Sequence, residues 1–168
     1  MTDPTATAAE PQIIDRPEVP YVGVRRSITM QQLNLIADRI PEILAFIGER
    51  HVAPAGPPFF RYHLVDMEVE LDVEVGVPLA DPIGGDGEVN AGILPAGRYA
   101  CLTQVGHPDR LIEVTQGLLA WGDEHDIVWD VDESGRRWGA RLEFHLTDPR
   151  EQPDMNQWVT ELAFRIAD

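Results

Sequence analysis

Lysine is absent from this 168-residue chain, and all 13 of its basic residues are arginine. That excludes chemistry built on a lysine amine, whether a Schiff base or the phosphate-binding lysine of a P-loop. Only one cysteine is present, Cys101, so no intrachain disulfide can form and a reducing compartment fits. No apolar run reaches the roughly 20 residues of a membrane span. The opening MTDPTATAAEPQ has neither the basic nor the apolar region of a secretory signal. A cytoplasmic chain with no membrane partner is expected. Positive charge is scarce: 29 acidic residues outweigh the 13 basic ones, giving a net charge of −16 at pH 7. Such a field repels phosphates, so no direct nucleic-acid partner is expected. It favours cationic or neutral ligands, or serves solubility alone.

Signs of a metal or cofactor are equally few. His51, His63, His107, His125 and His145 have no zinc spacing. Asp130, Asp132, Ser134 and Gly135 imitate the start of a calcium loop, but Arg141 stands at the twelfth position, where a bidentate Glu is needed, so a hairpin turn is the better reading. There is no dinucleotide fingerprint and no nucleophile elbow. No metal and no cofactor is expected.

What remains is an ordinary globular composition, 43% hydrophobic and 25% charged, of a length suited to one domain. Residues 1–10 read as a disordered tail and 11–168 as the domain. Alternation predicts strands at 19–28, 59–64, 68–78, 98–105, 138–146 and 158–166. Thr29 and Gln32 have capping-box spacing. Leu33, Ile36, Ala37, Ile40, Leu44 and Ile47 then follow at helical spacing, with Pro41 forced to kink that helix or to start another. Leu111, Val114, Leu118 and Trp121 form the stripe of a second helix over 108–125. The Gly-, Pro- and acid-rich run 81–97 reads as an exposed connection.

The order strand, helix, strand, strand occurs twice. LAFIGERHV (44–52) lies over LAWGDEHDI (119–127), FFRYHL (59–64) over RLEFHL (141–146), and ELDVEV (70–75) over ELAFRI (161–166). These matches set Phe46 against Trp121, His63 against His145 and Glu70 against Glu161. The fold class is therefore α+β: two β-α-β-β repeats, 19–78 and 97–166, with an antiparallel sheet and helices on one face.

The segments RPEVPYVGVR (16–25), PAGPPFFRYH (54–63), ELDVEVGVPL (70–79), LPAGRYA (94–100) and WVTELAFRI (158–166) together resemble the GyrI-like family, the bacterial transcription activator effector-binding domain, from about Gln12 to the end. Its members include drug-sensing halves of regulators, a gyrase-inhibitory protein and stand-alone domains, some of them hydrolases of cyclopropane-bearing genotoxins. The resemblance implies an aromatic-lined groove, on the sheet face away from the helices, with a carboxylate at its base. It also implies a stand-alone role here, because the regulators carry a DNA-binding region ahead of this domain and only a short tail precedes Gln12.

On the last strand, Leu162, Phe164 and Ile166 share the helix-facing side, which puts Glu161, Ala163 and Arg165 on the other. Glu161 stands in the family's W-x-x-E-L pattern. It can pair with a cationic ligand or act as a general base on water, or it can be structural, paired with Arg141 or Arg165. The same parity on 138–146 separates Ala140, Leu142, Phe144 and Leu146 from Arg141, Glu143 and His145, making Glu143 a second groove carboxylate. Glu68, Glu70, Asp72 and Glu74 share one face, either as a cation-binding wall or as a solvated surface. Phe59, Tyr62, Tyr99 and Trp138 are the candidate ligand-stacking aromatics, with the faces of Tyr62 and Tyr99 left open. Phe46 and Trp121 are assigned to the core.

Two functions follow. One is a binding module that senses or sequesters a small lipophilic organic molecule, cationic or neutral, as a monomer or dimer and acting alone or through a protein partner. The other is a hydrolase in which Glu161 activates water against a strained electrophile. A third, an acidic inhibitor of a nucleic-acid enzyme, rests on net charge and a family namesake.

Overall fold

Val22, Val24 and Ile28 alternate along strand β2 (Val19–Ile28) and bury one of its faces. At the strand's end the Thr29 amide donates to Gln32 Oε1 at 3.0 Å, one arm of the capping box. The chain then turns through a 3₁₀ segment (Met30–Gln32) into the short helix α1 (Leu33–Ala37). Pro41 has no amide hydrogen to give, so it stands in the first turn of a separate helix, α2 (Ile40–Glu49). In this computed structural model, residues 10–66 and 70–168 are described. Glu68, Val69 and most of the expected N-terminal tail lie outside them, as does the side chain of Leu33.

The other strands are β1 (Gln12–Arg16), β3 (Phe59–Asp66), β4 (Glu70–Pro78), β5 (Asn90–Leu94), β6 (Gly97–Val105), β7 (Arg141–His145) and β8 (Val159–Arg165); the third helix, α3 (Leu111–Glu124), follows a 3₁₀ turn at Pro108–Arg110. All eight strands form one sheet in the order β1-β6-β8-β7-β3-β4-β2-β5, and every neighbouring pair is antiparallel. The halves mirror one another across the β7–β3 seam. Two short strands trade places: β1 precedes the first half but pairs with β6, whereas β5 precedes the second half but pairs with β2. The sheet is therefore curled, with both chain crossings at the Arg16 and Leu94 ends.

Helices α1 and α2 pack against β2 and β4, and α3 against β6. Each half buries its own core beneath its helix. Ile36, Ile43 and Ile47 pack against Val22, Val73 and Val75 in one, with Phe46 at the margin. Leu111 and Leu118 pack against Leu102, Leu162 and Phe164 in the other, with Trp121 at the margin. The opposite, concave face holds a third cluster that includes Tyr21, Phe59, Tyr99, Leu142 and Phe144.

Three features depart from the sequence reading. The connection 81–97 contains β5, and the start of the domain contains β1. His63 does not correspond to His145: His63 faces the concave side, where it meets Glu74, while His145 packs edge-on against the Phe60 ring, at 4.7 Å, on the helix side. The match of FFRYHL with RLEFHL is one residue out of phase from its first pair, since Phe59 lies in the concave cluster with Leu142 and Phe144 while Arg141 faces the helix-side Phe164.

Candidate functional site

The six ligand-binding candidates divide between the two faces of the sheet. Glu161, Phe59 and Tyr99 lie on the concave side. Glu143, Tyr62 and Trp138 lie on the helix side. For Glu143 this corrects the expectation that it shares a groove with Glu161. Register fixes the point, because Phe144, not Glu143, stands opposite Glu161, and Glu143 stands opposite the core residue Leu162. Leu142 and Phe144 were assigned to the helix layer because they are apolar, but the concave face is apolar as well.

On the concave face the aromatic residues are packed against one another. Phe59 is fully buried, with Tyr21 edge-on to it at 5.1 Å and Phe144 tilted at 5.6 Å. Gly76 makes the packing possible: a Cβ there would stand 2.7 Å from the Phe59 ring and 3.0 Å from that of Tyr21. Tyr99 is buried, and its hydroxyl donates to the Pro95 carbonyl at 2.6 Å. Glu161 has a partner, though neither of the expected arginines. Arg16, reaching over from β1, donates to its Oε1, and the same guanidinium lies 5.1 Å from the Phe144 ring centre. Arg165 instead pairs with Asp130 at 2.9 Å. Beside these residues opens a cleft of about 380 Å³, lined by Arg16, Leu94, Tyr99 and Phe144 and walled by Pro17, Pro57, Pro78 and Pro95.

Sequence reasoning did not single out the Glu74 network on the same face. Glu74 Oε1 accepts from the Tyr21 hydroxyl at 2.5 Å and lies 2.9 Å from His63 Nε2. Arg61 donates to the Tyr21 oxygen at 3.1 Å and to the carbonyls of Ile93 and Gly139. Burial pushes the Glu74 pKa up, but hydrogen bonds from His63 and Tyr21 and the His63 and Arg61 charges outweigh it, so its carboxyl sits below the usual range. Of the expected acidic wall, Asp72 is held bidentately by Arg25 at 2.8 and 2.6 Å. Asp72 and Glu74 of that wall are thus engaged, while Glu70 is exposed.

The helix face differs. Its helices pack against β2, β4 and β6, which leaves the central strands β3 and β7 as a strip between them, hereafter the trough. Phe60 and Tyr62 rise from β3; Arg141, Glu143 and His145 rise from β7. The Tyr62 hydroxyl donates to Glu143 Oε2 at 3.0 Å. Burial, followed by the adjacent Glu143 charge and this bond, drives the Tyr62 pKa well above its ordinary value. His145 Nε2 is buried with no hydrogen-bond partner. It lies 3.9 Å from Glu143 Oε1, too far to donate to it. Desolvation lowers the His145 pKa against the pull of Glu143, so the ring is neutral near pH 7.

Arg141 sits among the rings of Phe164, Trp138 and Tyr62, at 4.8, 5.1 and 5.9 Å from their centres. Its Nε is buried without a partner, and no carboxylate of the described residues pairs with it. Cation–π contacts supply roughly 0.5–2 kcal/mol, whereas an unmatched buried donor costs about 1–3 kcal/mol and more when charged. Three such contacts are of the same order as that cost, but they leave the Nε donor without an acceptor. Trp138 also packs with Trp129, at 6.0 Å, in the second-half core, so it borders the trough and does not line its floor.

Comparison with known proteins accords with this architecture. The chain belongs to the GyrI-like small molecule binding domain family, whose model matches residues 9–167. Among solved structures it is similar to EcmrR in a complex with DNA, with a TM-score of 0.79 and 17% identity over 95% of this chain and 57% of that one. The chain thus spans little more than half of that relative. The EcmrR C-terminal domain alone gives a TM-score of 0.70 at 18% identity, covering 95% of this chain and 98% of that one. SAV2435 bound to tetraphenylphosphonium gives 0.68 at 10% identity, covering 95% and 94%. A hydrolase from Listeria innocua gives 0.59 at 15% identity, covering 94% and 92%. No curated protein matches the chain by sequence.

Proposed function

We propose that this protein senses or sequesters a small, flat, lipophilic organic molecule, held in the trough between the helices. One observation carries the reading: Tyr62, Glu143, His145 and Arg141 form a polar, aromatic-edged floor whose donors are not all satisfied. A ligand site needs apolar walls and a few convergent polar groups with bonding capacity to spare, and the trough has both. On the concave face Glu161 is already bound by Arg16, and Phe59 and Tyr21 are packed shut. The tetraphenylphosphonium-bound neighbour supports a lipophilic ligand in a domain of this shape. Binding is favoured over hydrolysis because the candidate base, Glu161, lies on the face of the sheet opposite the trough, out of reach of water beside a ligand held there.

The test is a fluorescence titration with flat aromatic compounds, read by Trp138 at the trough's edge. Tyr62→Ala removes one wall and is expected to weaken binding by about tenfold or more, roughly 1.4 kcal/mol. Glu161→Gln, which keeps an acceptor for Arg16, is expected to leave affinity within about twofold. The reverse pattern would put the site on the concave face.

A further inference from the structure

We infer that the trough selects a flat aromatic ligand bearing an acidic or carbonyl oxygen, which docks on Arg141. The inference rests on the trough being the ligand site and names the chemistry that site takes. Arg141 is the one arginine described with a buried Nε, rings on several sides and no ion pair or hydrogen bond. Arg16, whose Nε is also buried and unbonded, spends another of its nitrogens on Glu161. Arg61 has the same orphaned Nε but places its terminal nitrogens on a hydroxyl and two carbonyls. Of these three, Arg141 alone keeps its planar fork of donors uncommitted.

The neighbouring groups reinforce the choice. Glu143 stands one pleat repeat along β7, about 7 Å away, and turns one oxygen to the Tyr62 hydroxyl. His145, beyond it, is an unpartnered ring with its pKa lowered by burial. The sequence around the floor therefore offers an unpaired cation, a carboxylate already served by a donor, and a neutral imidazole. A cationic ligand would meet Arg141 head-on. An oxyanion or carbonyl would complete its fork, and fork-to-oxygen geometry is what arginine satisfies best. The rings of Tyr62 and Trp138 beside Arg141 would hold the flat body of the same molecule.

The test uses three isosteric probes, 2-naphthoate, 2-naphthamide and 2-naphthylmethylammonium, titrated into the intact chain by calorimetry. Naphthoate is expected to bind at least tenfold tighter than the ammonium, with the amide between them. On binding it should move the Nε–H proton resonance of Arg141 downfield. Arg141→Gln should remove the preference for the acid and weaken the amide by less than it weakens the acid, while Arg141→Lys, which keeps the charge without the fork, should restore part of the preference. Because the wild-type series stands on its own, a variant that fails to fold does not rescue the inference. Equal affinity for acid and ammonium, or tighter binding of the ammonium, overturns it while leaving the trough as the site. Failure of all three probes to bind overturns the trough as well.

Discussion

At the scale of single residues, the trough buries Nε2 of His145 without a hydrogen bond, and the consequence is measurable. The ring's pKa is depressed by desolvation, so below pH 6.5 the unfolded chain takes up a proton that the folded ring resists. Stability is therefore complete above the unfolded value near 6.5 and declines as pH falls toward the folded pKa. The slope can reach about 1.4 kcal/mol per pH unit for one proton. Glu74 and Asp72, whose pKa values are also lowered, have the opposite ionisation and add their own loss only as pH falls below about 4.5. Urea midpoints from pH 7 to 5 for wild type and His145→Asn should differ by this slope, with the variant flatter. Parallel curves would mean that His145 is already solvated in the fold. At this scale the sequence was only partly legible. Alternation correctly opposed Glu161 to Leu162 and Phe164 because those apolar residues meet a helix layer. It misplaced Glu143 because both faces of β7 are buried, and polarity then no longer marks the outside. Arg141 drew attention as a possible partner for Glu161 and not as a ligand residue, since no linear pattern says whether an arginine finds its carboxylate.

At the scale of elements, the six strands of the two repeats and the helices were readable because each carries a run of apolar residues at strand or helix spacing. Strands β1 and β5 were not. β1 is an edge strand whose Ile13 and Ile14 are 46% and 38% exposed, so it has no buried face to write a pattern. β5, Asn90–Leu94, lies in a Gly- and Pro-rich run and owes its pairing to β2, far away in sequence. Gly92 shows what that pairing demands. A Cβ on it would stand 2.4 Å from Tyr21 Cζ and 2.6 Å from the Tyr21 hydroxyl. Gly92→Ala must displace β5 or push Tyr21 off Glu74, and overpacking of this kind typically costs about 1–3 kcal/mol. A drop of that size in the chemical denaturation midpoint is expected, whereas Gly48→Ala, with nothing within 4 Å, should be neutral or slightly stabilising. If both variants behave alike, β5 does not press on Tyr21.

At the scale of the whole molecule, the exchange of β1 and β5 makes the two repeats dependent on each other. The first half, cut away alone, would hold a β1 with no β6 to pair with, a β2 edge stripped of β5, and a β3 edge stripped of β7. Its Tyr21 and Phe59 would also lose Tyr99, Leu142 and Phe144 from the concave cluster. Units of about 80 residues are marginal even with a complete core, and bare edges invite aggregation. All four tryptophans, Trp121, Trp129, Trp138 and Trp158, belong to the second half, so fluorescence reports that half while far-UV circular dichroism reports both. Under denaturant the two signals are expected to trace one superimposable transition. Fragments 1–80 and 81–168 should each lack dispersed amide resonances alone and regain them when mixed, because each carries a strand that the other's sheet requires. A dispersed spectrum from either fragment alone, or a fluorescence transition displaced from the dichroism curve, would show that the repeats fold as independent units. The strip between the helices, which joins β3 of one half to β7 of the other, would then owe its shape to a docking of domains and not to a single fold.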